Sequence, residues 1–261
     1  MNAELSPHME RSGVIRPHRS HRTLRVTPAG WIFSALTLVL GLIVTYVALR
    51  QYWPWLMEGV NAVLASSGVS SAPVADRFLG ISASVPVPLL PSLSVTGSLW
   101  VAAACAVLMV LGALVPNRRS PFYYWLGANL FVLMLTALFA FFVGRLAYDG
   151  ATFMLLVERT SLLMILCAPI FSGIVSVLLP FSVLERLSLL VFTVVLDVIL
   201  SLVRIAAFSL LVARFGAIAE ANLYLFLGPL MDAAYFIGVY SVVVVSLGRR
   251  LNADLEAWEW L

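Results

Sequence analysis

Six times along its 261 residues this chain runs for nearly the width of a bilayer with almost no charge, and that recurrence decides most of what it can fold into. A helix rises 1.5 Å per residue, so roughly 20 apolar residues cross the hydrocarbon core. Charged residues make up 11% of the chain, whereas soluble domains average about 25%. A water-facing surface cannot be built from so few, and a sizeable soluble domain is excluded. The sequence therefore predicts an all-α polytopic membrane protein of about six transmembrane helices. They fall near Trp31–Leu49, Leu99–Val115, Tyr123–Val143, Ser161–Leu179, Ser188–Leu210 and Phe226–Leu247.

The chain divides accordingly into a basic tail (1–30), a membrane domain (31–248) and a short C-terminal tail (249–261). Between the first two runs lies a long segment (50–98) rich in Pro, Ser and Gly. Its start, WPWLMEGVNAVLASSG (Trp53–Gly68), is short and Trp-led, which suits a helix lying along the interface. The remainder, with FLGISASVPVPLLPSLSVTG, reads as extended or irregular chain.

All 16 basic residues are arginine, and their placement sets orientation. With the N-terminus inside, ten arginines fall on inner segments and five on outer ones, a bias that favours both termini in the cytoplasm and places segment 50–98 outside. Trp31, Trp53, Trp55, Trp100, Tyr123, Tyr124 and Trp125 cluster at span ends, where amphipathic rings prefer to sit. The expected location is the plasma (inner) membrane, with lipids as the standing partners. Arg11, Arg16, Arg19, Arg22 and Arg25 would also suit an acidic partner, but a topology signal accounts for them and no nucleic-acid partner is expected.

No internal repeat, phosphate loop or Gly-rich nucleotide motif is present. The three histidines, His8, His18 and His21, all precede the first span, so no histidine metal site is expected within the membrane, and no cofactor. Cys105 and Cys167 fall in different spans and suggest no disulfide framework.

Polar residues inside apolar runs are costly unless paired or wet, which makes them the functional candidates. Asp197 and Arg204 are seven residues apart, on one helix face but about 10 Å apart along the axis. Cys167, Arg204 and Asp232 each lie six residues in from the expected outer end of a span, a shared depth of about 9 Å. A cation beside a cysteine favours its thiolate and can hold the oxyanion of an attacked carbonyl, which makes Cys167 the candidate nucleophile and Arg204 its partner. Ser201, Asp197 and Asp232 are candidate supporting residues. Plainer readings stand beside these: a cysteine as packing filler, Arg204 neutralised by Asp232 or Asp197, and Ser172, Gly173 and Ser176 as a small-residue packing surface.

CAPIFSGIVSVLLPF (Cys167–Phe181), LSLVRIAAFSLLVARFG (Leu200–Gly216) and the final apolar span resemble the C-terminal core of the exosortase/archaeosortase family. Those proteins are multi-span membrane cysteine transpeptidases that process the C-terminal sorting signals of exported proteins. The resemblance implies Cys167 as nucleophile and Arg204 as its cationic partner, with exported proteins as partners. Ser201 stands where the family has asparagine, and Asp232 falls near the place of a third polar residue, His or Arg. Aligned instead on Phe171-Ser172-Gly173, the nucleophile's place is taken by Phe171. Three functions follow: an exosortase-like transpeptidase or protease, a noncatalytic component of an envelope or polysaccharide export system, or a small transporter.

Overall fold

The computed structural model describes residues 22–24, 28–89, 95–114, 121–143, 149–178, 181–251 and 258–260. Most of the basic tail, the loop carrying Arg118 and Arg119, and Arg145 lie outside the described residues. The protein is an all-α polytopic membrane protein. Six helices have twenty residues or more: α1 (Pro28–Ser66), α2 (Val95–Leu114), α3 (Pro121–Val143), α4 (Gly150–Leu178), α5 (Val183–Phe215) and α7 (Pro229–Leu251), with the short α6 (Glu220–Leu227) between the last two.

The apolar stretches long enough to cross a membrane number five among the described residues, not the six separate spans expected. The difference lies in the last stretch, Val183–Leu247, which carries α5, a 3-10 turn, α6 and α7 in one continuous run. Its direction reverses nonetheless. Arg204 meets Gly228 and Asp232, while Thr193, eleven residues earlier on α5, accepts a hydrogen bond from Tyr235 further along α7. Successive contacts in opposite order make α5 and α7 antiparallel neighbours. Gly216, at φ 69, ends α5 in the left-handed region that a Cβ disfavours.

α1 fuses what the sequence separates into a span and an interfacial helix. Pro54 lies inside it, and a mid-helix proline removes one backbone hydrogen bond. Tertiary packing outweighs that loss: Trp53, Met57 and Leu64 are fully buried, against the segment that follows. At 39 residues the helix is about 58 Å long, nearly twice the hydrocarbon thickness. Part of it therefore stands beyond the bilayer.

The segment expected as extended or irregular chain is extended, and forms a β-hairpin, β2 (Ser71–Phe78) paired antiparallel with β3 (Ile81–Pro88). Leu79 and Gly80 form its two-residue turn, both at positive φ (52 and 78), the sign pattern that matches the twist of the strands. The prolines that argue against strand do not interrupt the ladder. Antiparallel pairs alternate between hydrogen-bonded and non-hydrogen-bonded, and with Phe78↔Ile81 as the closing bonded pair, Pro73, Pro86 and Pro88 all fall on non-bonded pairs. Their missing N–H groups would have pointed away from the partner strand. Ile81, Ala83 and Val85 turn inward onto α1 and α4. Asn61 and Tyr46 of α1 donate to the hairpin carbonyls of Ser84 and Leu79 at 3.0 Å each.

Helix ends are tied by specific groups. Ser182 and Glu185 form a reciprocal capping box at the start of α5, and the buried Arg186 donates to Gly30 O (2.7 Å) and Ser34 Oγ (2.8 Å) of α1. Short strands β1 (Arg22–Leu24) and β4 (Trp258–Trp260) pair antiparallel, which brings these two segments together.

Candidate functional site

Helical spacing builds one polar stripe on α5. Thr193, Asp197, Ser201 and Arg204 recur every three or four residues, and all four are buried. Three of them carry the expectations above; Thr193 joins them at the same spacing.

Arg204 is the hub. Its Nη1 donates to Asp232 Oδ2 at 2.5 Å and to the carbonyl of Gly228 at 3.5 Å, and its Nη2 donates to Ser161 Oγ of α4 at 2.7 Å. Arginine and aspartate are both largely buried, with side-chain exposures of 8% and 7%. The partner at matched depth is Asp232, as expected. Asp197, two turns along α5, is fully buried and neither carboxylate oxygen has a hydrogen-bond partner; the Ser201 hydroxyl and Arg204 Nε are likewise unpartnered.

Cys167 stands apart from this hub. Its residue is exposed, and the hydrogen bonds of Arg204 go to Asp232, Gly228 and Ser161. Ser161 and Cys167 are both on α4, six residues apart, hence about 9 Å along the axis and roughly 120° apart around it. When Ser161 faces α5, Cys167 faces elsewhere. The shared depth itself does not hold: Ser161 of α4 is level with Arg204 and Met154 with Ser209, so Cys167, about 9 Å further along α4, lies nearer the level of Asp197 than of Arg204. Pro169 lies inside α4, which runs through to Leu178, so it does not open a new helix beside the sulfur.

Ser172, Gly173 and Ser176 form a packing surface. Both serines are fully buried, and a Cβ on Gly173 would come within 2.8 Å of Leu38 Cβ on α1. Close helix approach requires the glycine there. Phe171 lies against Phe236 of α7, ring centroids 4.9 Å apart.

Three polar residues escape the sequence reading because α4 begins at Gly150, well before the expected span. Ser161 is the arginine's third partner. Glu158 is buried and accepts a 2.8 Å hydrogen bond from Trp53 Nε1, joining α4 to α1. Arg159, the next residue, points the other way and holds Asp76 of β2 with two hydrogen bonds of 2.8 Å. That guanidinium beside Asp76 keeps its carboxyl below the usual carboxylate range. Alternation of an inward acid and an outward cation within an ERTS run was a signal open to sequence reasoning. It was hidden by starting the helix too late.

No group of three or more metal-ligating side chains occurs among the described residues. Comparison of the chain with protein-family models, with curated proteins and with solved structures finds no match in any of the three.

Proposed function

We propose that the chain is an exosortase-like protein of the plasma membrane that retains the arginine helix as a structural clasp and serves as a noncatalytic component of an envelope or polysaccharide export system. The observation that carries this reading is the set of partners around Arg204. An arginine that favours a thiolate or holds an oxyanion must aim a donor at the reacting atom. Here both terminal nitrogens donate to Asp232, Gly228 and Ser161, only the buried Nε lacks a partner, and Cys167 is about 9 Å further along α4 than Ser161. The guanidinium ties α4, α5 and α7 together.

A second reading, the transpeptidase, draws support from the exposure of Cys167, which is not sealed into the core as Cys105 is. In that reading the Cys167 thiolate adds to a peptide carbonyl, the amine leaves, and the thioester passes to an acceptor nucleophile.

One experiment separates them. The chain is expressed with an exported protein bearing a C-terminal sorting signal, as wild type and as Cys167→Ser, and both processing and complementation of a deletion strain are followed. The noncatalytic reading expects no processing by either form and full complementation by both. Processing by the wild type that disappears in Cys167→Ser overturns it in favour of the transpeptidase.

A further inference from the structure

A cavity of about 630 Å³ opens between α3, α4 and α6, away from the Arg204 hub. Its walls are mostly apolar, with Val132, Phe153, Leu155, Leu156 and Leu225 among them, and two charged side chains, Arg159 and Glu220, reach it. On α4 the lining positions Thr152, Leu155, Leu156 and Arg159 share one face by helical spacing.

The two charges are unlike in state. Glu220 is 3% exposed and its Oε1 is buried without any hydrogen-bond partner. A buried carboxylate oxygen left bare is expensive, and a ligand that supplies an N–H donor and a positive charge removes that cost. Arg159 is held rigidly by Asp76 through Nε and Nη2 and lies over the Phe78 ring at 5.7 Å. Those contacts leave Nη1 to take a further acceptor, and a fixed guanidinium is suited to a phosphate oxygen.

We propose that this cavity binds an aminophospholipid, with the primary ammonium on Glu220, the phosphate on Arg159 and an acyl chain along Leu155, Leu156 and Leu225. The ligand class follows from three features taken together. An anion and a cation in one cavity match a zwitterion. The bare oxygen accepts from an N–H donor, which a primary ammonium has and a quaternary choline lacks. The apolar wall is continuous with the outer surface, since Leu156 and Leu225 are 41% and 53% exposed. An acyl chain can therefore run from the cavity into the bilayer, whereas a peptide would bring backbone amides against a wall with few polar groups.

The test uses the purified full chain, incubated with equal amounts of dioleoyl phosphatidylethanolamine and dioleoyl phosphatidylcholine, with bound lipid counted by native mass spectrometry. Wild type should retain the ethanolamine lipid about tenfold over the choline lipid, the scale of one charge-assisted hydrogen bond. Glu220→Gln should bring that ratio close to one. Leu156→Trp, which fills the cavity and keeps the Glu220 carboxylate in the chain, should lose the preference as well, and carries the test if Glu220→Gln does not fold. Equal retention of the two lipids by wild type overturns the proposal, as does a preference that survives either substitution. Displacement of the lipid by a lysine-containing peptide at equal concentration overturns it in favour of a peptide ligand. None of these outcomes depends on whether Cys167 is catalytic.

Discussion

Asp232, on the first turn of α7, grips Arg204, 22 residues into α5, at 2.5 Å, and the pair is buried where two antiparallel helices meet α4. Isolated burial of either charge would cost several kcal/mol. Mutual neutralisation and the bonds to Ser161 and Gly228 offset that cost.

Removing one partner should therefore be worse than removing both. Asp232→Ala or Arg204→Ala alone is expected to destabilise the protein by about 3–5 kcal/mol, the scale for breaking a buried pair. The double variant Arg204→Met/Asp232→Leu should recover a large part of that loss. Thermal unfolding of the four proteins in one detergent gives the coupling, and strict additivity would show that the two side chains act independently.

The contact between Asp76 and Arg159 makes the hairpin's attachment sensitive to acid. Arg159 holds the folded-state pKa of Asp76 below its unfolded value, so the contact adds stability above the ordinary carboxylate range. That stability is lost as pH falls through the folded value. Wild type should thus lose thermal stability between about pH 5 and pH 3 more steeply than Asp76→Asn does. Parallel melting curves of the two proteins over that window would refute the assignment. The effect is small in size because the Arg159 side chain is 44% exposed.

Pairing of β1 with β4 sets residues 22–24 beside residues 258–260. The arginine bias predicts that both of these segments are cytoplasmic and that the hairpin is outside. A reporter fused after Leu261 should be active only if it is of the cytoplasmic kind. Ser82→Cys, on the exposed face of β3, should react with an impermeant thiol reagent in intact cells. A C-terminal reporter active only outside would reverse this orientation.

Legibility in the sequence followed how far each signal depends on neighbours. Apolar runs are local, and α2, α3 and α7 lie within a few residues of the expected spans. Charges within such runs are local too, which made Arg204, Asp197 and Asp232 visible as buried residues before any packing was known. Where a helix begins is less local. Depth counted from Ser161 placed Cys167 beside Arg204, whereas α4 begins at Gly150 and brings Ser161 to that level instead. Continuity through Pro54 and the register of Pro73, Pro86 and Pro88 depend on tertiary contacts as well. At Pro54 packing outweighs the lost hydrogen bond, and in the hairpin the prolines are tolerated because the N–H each lacks had no partner.

The hairpin turn offers the sharpest test of that last point. Leu79 occupies φ 52, a region that disfavours side chains with a Cβ, while Gly80 at φ 78 takes the same region without penalty. Asparagine followed by glycine is the preferred pair for a two-residue turn of this kind. Leu79→Asn should therefore keep the turn and stabilise the protein by up to about 1 kcal/mol, because Leu79 is 48% exposed and little packing is lost. Gly80→Ala should cost about 1–2 kcal/mol. Its new Cβ would also approach the Tyr46 hydroxyl to 3.2 Å, pressing on the residue that donates to the turn carbonyl of Leu79. Melting temperatures of the two variants should move in opposite directions. If Gly80→Ala melts with the wild type, the turn does not hold the left-handed conformation and the proline register has lost its anchor.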